Sequence, residues 1–176
     1  MNYKELLTKR LQLRTLQAKD AEDIRFLRSD QIVNQFVKRQ ETKTIDDALK
    51  FIKRIQKSVS NQEICYWSIC LKNNPRLIGT ICLWNFSEDL KKAEIGYDLH
   101  PKFHRTGIMS EALKAVLGFG FNELNLNSIE AYTQNDNLAS VYLLKKKNFS
   151  LIKDRVDDDN PKNAIFVLEK KHFRIS

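Results

Sequence analysis

The stretch "AEIGYDLHPKFHRTGIMSEALKAVLGFGF", from Ala93 to Phe121, decides the fold. Ala93, Ile95, Tyr97 and Leu99 alternate with Glu94, Gly96 and Asp98, which is the period of a strand. From about Gly107 to Asn122, Ile108, Ala112, Ala115, Val116 and Phe119 recur at the spacing of one helix face. The helix start presents unpaired N–H groups and the positive end of the helix dipole, which suit an anion. Gly107 carries no Cβ, so a ligand can approach the backbone there, and His104 and Arg105 add side-chain donors. Gly96, in mid-strand, predicts a bulge or a close backbone approach. A diphosphate fits such a turn, but many helix starts hold nothing, so the turn alone leaves both readings open.

Outward from this unit, "NSIEAYT" reads as the next strand and "NLASVYLLKKK" as a helix stopped at Asn148, a residue tolerant of the left-handed conformation. "NFSLIKD" and "NAIFVLEKK" close the chain as two strands around the turn "DDDNPKN". Upstream, "ICYWSICLK" and "RLIGTICLWNF" are β-branched and aromatic runs joined by "NNPR", hence a hairpin. "RLQLRTL" reads as a first strand, and Asp20 as the cap of a short helix through Leu27. "TKTIDDALKFIKRIQKSV" is a second helix, with Thr44 as N-cap, Asp47 in the N3 acid position, and Ala48, Phe51, Ile52 and Ile55 on its apolar stripe. The order β-α-α-β-β-β-α-β-α-β-β predicts an α+β fold. Its sheet is mixed and mostly antiparallel, with one β-α-β crossover. We expect one domain over residues 1–176, its core at about 10–168.

Of the 176 residues, 42% are hydrophobic and 30% charged, so the chain can bury a core and is not expected to be disordered. No apolar run reaches the roughly 20 residues that cross a bilayer, and "MNYKELLTKR" lacks the apolar region of a secretory signal. Cys65, Cys70 and Cys82 are odd in number and lack zinc-site spacing. They read as reduced core residues of a cytoplasmic protein, with no metal and no membrane partner expected. The net charge of +8 suits an anionic partner or merely a basic surface. The basic residues are scattered and not interleaved with aromatics, which argues against nucleic acid.

The run "AEIGYDLHPKFHRTGIMSEAL", followed by "NSIEAYTQNDNLASVYLLKKKNF", resembles the GNAT superfamily of acyl-CoA-dependent N-acetyltransferases. It is most similar to the Rim-type branch, which includes ribosomal-protein N-terminal acetyltransferases. "RLQLRTLQAKDAEDI" and "LIGTICLWNF" match that branch too, so the resemblance spans about Arg10 to Leu168. It implies acetyl-CoA as cosubstrate and direct transfer of the acetyl group to an amine. By position, His104, Arg105, Thr106, Gly107, Ile108, Met109 and Ser110 correspond to the loop whose backbone amides cradle the coenzyme pyrophosphate. His104 stands where Gln or Arg is usual, and Met109 where Gly or Ala is usual. The strand bearing Tyr97 and Leu99 is implied to splay from the next strand and admit the pantetheine arm. Asn137 and Ser140 match the family's Asn-x-x-Ser along the pantetheine and thioester, and Lys146 a basic residue near the adenosine phosphates. Read without the family, Asn137 is a plain N-cap and Ser140 a surface hydroxyl.

Such a reaction needs a base for the amine, a donor for the oxyanion and a proton source for the thiolate. Deprotonating a lysine-type amine at pH 7 costs roughly 4–5 kcal/mol, and an α-amine only about 1 kcal/mol. Glu94 is the base expected on these grounds, and a solvated or salt-bridged strand carboxylate is its plainer reading. The oxyanion donor is a backbone N–H near Leu99. The tyrosine that many relatives place four residues after the serine is here Leu144, and Tyr142 is out of phase, which leaves Ser140 or solvent as the proton source. An acyl-cysteine route finds no His–Asp partner in sequence, and His100 before Pro101 reads as a turn former. "SDQIVNQFVKRQETKT" and "DDDNPKN" are implied to wall the acceptor site, for a protein N-terminus or a small-molecule amine. A homodimer is left open, as is a bulkier acyl group. A coenzyme-A-binding sensor without catalysis is the alternative that His104, Met109 and Leu144 raise.

Overall fold

The computed structural model describes residues 4–174, so the chain-end readings at 1–3 and 175–176 lie outside the described residues. Among these residues eight strands form one sheet. They are β1 (Leu6–Leu7), β2 (Leu11–Arg14), β3 (Cys65–Leu71), β4 (Asn74–Trp84), β5 (Lys92–Leu99), β6 (Ser128–Gln134), β7 (Ser150–Ile152) and β8 (Asn163–Glu169). The order across the sheet is β1-β2-β3-β4-β5-β6-β8-β7. β5 and β6 run parallel, and every other neighbouring pair is antiparallel. The helices are α1 (Ala21–Ser29), α2 (Gln31–Asn34), α3 (Ile45–Ser60), α4 (Ile108–Asn122) and α5 (Leu138–Lys146). α4 is the crossover between the parallel strands. This is the expected α+β architecture. None of these helices is long and apolar enough to cross a membrane.

Both faces of the sheet are covered. α4 packs Ile108, Ala112, Leu113, Val116 and Phe119 against Leu11, Leu13, Trp67, Ile81, Leu83 and Ile95. On the other face Ile24 and Leu27 of α1 and Ala48 and Ile52 of α3 pack with Leu16, Tyr66 and Leu77. Two-sided cover explains why β3 is buried along nearly its whole length, apolar but for Ser68, and does not alternate. Trp67, Phe121 and Phe166 are wholly buried, each contributing roughly 1.5–3 kcal/mol by removal from water.

Local signals set several boundaries. Thr44 and Asp47 form the expected capping box at α3, with both reciprocal bonds made. Thr44→Ala is expected to cost about 1 kcal/mol of stability, measured by chemical denaturation. Asn148 ends α5 at φ 65°. Three expectations are corrected. Asp20 does not cap α1 with its side chain. Its carboxylate is taken by Arg14 at 2.7 and 2.8 Å and by the Gln17 N–H, because a buried guanidinium outcompetes a helix start for it. Gly96 is not a bulge, since β4 and β5 stay in register past it. The irregularity lies between β3 and β4, beside Ile69 and Cys70. β1 and α2 are additional short elements; α2 is capped by Asp30, which accepts from the Ile32 and Val33 N–H groups.

Candidate active site

β5 and β6 are paired only at their beginnings. Lys92, Ala93 and Glu94 face Ser128, Ile129 and Glu130, and no pairing continues beyond. From Ile95 onwards β5 remains held by β4 alone, as far as Gly79 opposite Leu99. The His100 N–H donates to Ile78 O at 2.8 Å, so alternation directs the backbone groups of Leu99 and Tyr97 to the opposite, open edge. His104 Nε2 donates to Leu99 O at 2.9 Å, so this carbonyl at the end of the edge is taken, and the open groups are those of Tyr97 and the Leu99 N–H. The parallel pair therefore opens into a cleft with a strand edge that β6 leaves unpaired on one side.

The turn at the cleft's end leads straight into the start of α4. Gly107 is the N-cap of α4 with φ 79°, a conformation that favours glycine. Its Cβ, if present, would lie 3.3 Å from Arg10 Nη2. His104, Arg105, Thr106 and Gly107 are exposed, and Ser110 is half-buried in the first turn of α4. Ile108 and Met109 point inward and join the main core. Met109 thus fills core volume and does not obstruct the exposed side of the turn. Gly107→Val is expected to lower stability by roughly 1–2 kcal/mol in chemical denaturation, because a β-branched residue resists positive φ and its side chain crowds Arg10.

Arg10 is a neighbour of the turn that sequence reasoning missed. Its guanidinium donates to Thr106 O at 3.0 Å and to Glu111 Oε2 at 2.6 Å, while Thr8 Oγ1 donates to Glu111 Oε1. The β1–β2 turn is thereby strapped to the first turn of α4. Nothing in the local pattern around Arg10 announces this, since the contact crosses some hundred residues. A second basic group lies at the end of α5, where Lys145 and Lys146 are exposed and the half-buried Lys147 is lowered by burial, by Lys114 and by Lys146.

Across the opening, Ser140 lies in the first turn of α5, 8% exposed, and Asn137 Oδ1 caps its N–H at 3.2 Å. Ser140 Oγ is 2.7 Å from Tyr97 Oη, so a strand residue and a helix residue meet over the split. Burial pushes the Tyr97 phenol up to about 12. Glu94 does not meet Ser140. By alternation it stands on the opposite face from Tyr97, beside Gly96 and Asp98. The split is the passage between the two faces.

On the Glu94 face the surroundings are acidic. Burial, then Glu130 and Asp157, raise the Glu94 carboxyl above its ordinary value, while Asn85 Nδ2 donates to Oε1 and lowers it. Glu130 is the register partner of Glu94 and is held by both Arg155 nitrogens, one of which also donates to Tyr132 Oη. Arg39 closes the other end: it donates to Asp98 at 2.6 Å, to Asn34 Oδ1 and to Leu27 O. Gln134 Nε2 donates to Phe36 O. The segments around Phe36–Arg39 and Arg155–Asp157 therefore both border this face.

A model of the acetyltransferase (GNAT) domain matches residues 10–150. The chain is 33% identical over 144 residues to "Uncharacterized N-acetyltransferase YoaA" of Bacillus subtilis (strain 168), covering 82% of this chain and 81% of that protein. This chain is a GNAT acetyltransferase. Solved structures share the fold at lower identity. The ribosomal-protein-S5-alanine acetyltransferase of Vibrio fischeri superposes with a TM-score of 0.80 at 18% identity, over 97% of this chain and 99% of that one. RimJ of Mycobacterium smegmatis, solved with a CoA-disulfide, gives 0.77 at 18% identity, over 94% and 85%.

Within this acetyltransferase the side chains weighed as alternatives find other employment. His100 Nδ1 accepts from the Lys102 N–H, and its ring stacks on Phe26 at 4.4 Å, which suits a turn former. Leu144 is wholly buried and Tyr142 is 68% exposed, so α5 brings no phenol to the split. Cys65 and Cys70 are buried core residues. Cys82 borders the site: it is the register partner of Gly96, and its thiol lies 3.6 Å from Gly96 O. Burial raises it to about 12, which keeps it a thiol and a poor nucleophile.

Proposed function

We propose that the enzyme transfers an acetyl group from acetyl-CoA directly to a primary amine, either a protein or peptide N-terminal α-amine or a small-molecule amine. The observation that carries this is the parting of β5 from β6 beside the Gly107 turn. The residues fit the coenzyme. The open edge at Tyr97 and Leu99 suits the amides of a pantetheine arm, and the amides from His104 to Ser110, with Arg10 and Arg105 beside them, suit a diphosphate. Lys146 and its neighbours suit a further phosphate, and Asn137 and Ser140 border the opening from α5. Acetyl-CoA would supply the acetyl thioester.

The chain's own groups then have separate tasks. Glu94, with its raised carboxyl, takes the amine proton directly or through water. The acidic surroundings favour a cationic amine, and the Leu99 N–H donates to the developing oxyanion. Ser140 donates to the departing sulfur. An α-amine asks least of a carboxylate base, since its deprotonation costs about 1 kcal/mol at pH 7. The likeness to ribosomal-protein acetyltransferases agrees with that choice. The catalytic unit in this reading is the whole chain, with its working core at about 10–168.

The test is acetyl-CoA-dependent thiol release across N-terminal peptides, polyamines, aminoglycosides and free amino acids. Turnover on at least one of them is expected. Tight coenzyme binding with silence across the panel would favour a sensor instead.

A further inference from the structure

Tyr97 and Ser140 are 43 residues apart and belong to elements that part from each other, yet their hydroxyls lie 2.7 Å apart. A serine hydroxyl has one proton and two lone pairs. Its proton points wherever its acceptor is, so the partner of the oxygen decides what the proton can do. Phenols are stronger donors than alcohols, and the buried Tyr97 phenol stays protonated through the physiological range. By geometry either hydroxyl can donate, and the stronger donor character of a phenol favours the direction from Tyr97 to Ser140. The Ser140 N–H is already fixed by Asn137, so the serine is held at both ends.

We propose that Tyr97 is a positioning residue for acetyl transfer: by donating to Ser140 Oγ it turns the Ser140 proton into the cleft, towards the departing sulfur. This rests on the acetyltransferase reading above. In the step itself the amine nitrogen bonds to the acetyl carbon and its proton passes to Glu94. The carbon–sulfur electron pair stays on sulfur, which the Ser140 O–H stabilises before solvent protonates it. Tyr97 gives up no proton. A phenol at about 12 would transfer uphill to a thiolate whose acid form titrates near about 8.5. β5 in this way contributes the phenol that α5 lacks, since Leu144 is buried aliphatic and Tyr142 faces outward.

Tyr97→Phe removes one oxygen and keeps the ring. It is expected to lower kcat about tenfold while KM for acetyl-CoA stays within about twofold of the wild type. Ser140→Ala is expected to lower kcat further, and the double variant to match Ser140→Ala, because Tyr97 acts only through the serine. Calorimetric coenzyme A binding by each variant checks that the cleft is intact. An unchanged kcat, a loss confined to KM, or independent multiplicative losses in the double variant would overturn the proposal. If the wild type acetylates no amine at all, the acetyltransferase reading itself fails. If it does and Tyr97→Phe equals it, only this inference fails.

Discussion

Glu94→Gln is expected to lower kcat/KM for the amine at least about 100-fold, the lower end of what a positioned base contributes. Coenzyme A affinity should hardly change, because Glu94 stands on the face opposite Tyr97 and Ser140. The pH profile should change with it. Burial, Glu130 and Asp157 raise the carboxyl above its ordinary 4.5, so the wild-type rate should climb with pH through a limb centred above that value. The Gln variant should lose that limb. Stability should move the other way. A carboxyl raised in the folded state binds its proton more tightly than in the unfolded chain. The stability this provides is complete below the unfolded value and is lost as pH rises through the folded one. At neutral pH the ionised Glu94 is therefore a cost, and Glu94→Gln should not lower Tm. An inactive variant with unimpaired Tm separates a base from a structural carboxylate. Loss of fold with loss of activity would leave only a structural strand carboxylate, held by the Asn85 amide.

Asp20→Ala should lower stability by about 3–5 kcal/mol, measured by chemical denaturation. Arg14 and Asp20 are 4% and 2% exposed and are joined by two nitrogen–oxygen contacts. Arg14 also donates to Thr15 O and Pro75 O, tying β2 to the start of β4. Removing Asp20 strands a buried cation and frees the Gln17 N–H. The cost comes from the uncompensated charge and not from the pair's net worth. The double variant Arg14→Leu with Asp20→Ala should accordingly recover much of the loss. A single variant within 1 kcal/mol of wild type, on the scale of an exposed pair, would contradict this.

Which of these features the sequence discloses follows from how local their physics is. Gly107 is readable because a glycine between a strand pattern and a helix pattern has a backbone reason to be there. Thr44 and Asp47 are readable because both halves of a capping box lie within one turn. The alternation that puts Glu94 on the face of Asp98 is also local, and the structure keeps it. Asp20 misleads because its cap position is visible while its stronger partner, Arg14, is distinguished only by burial. Arg10 and the Tyr97–Ser140 contact are unreadable for the same reason: each joins residues that only the crossover through α4 brings together. Met109 is the instructive case. A large residue in a loop that favours small ones suggests obstruction, but the helix start turns its side chain into the core.

The most direct measurement is a titration of the isotopically labelled protein with coenzyme A, followed by amide chemical shifts. Binding in the split predicts the largest changes at Tyr97 and Leu99, from Thr106 to Ser110, and at Ser140, with Glu22 to Phe26 of α1 nearly still. Saturable shifts confined to residues outside the cleft, or no shifts at concentrations where coenzyme A binds, would contradict the account.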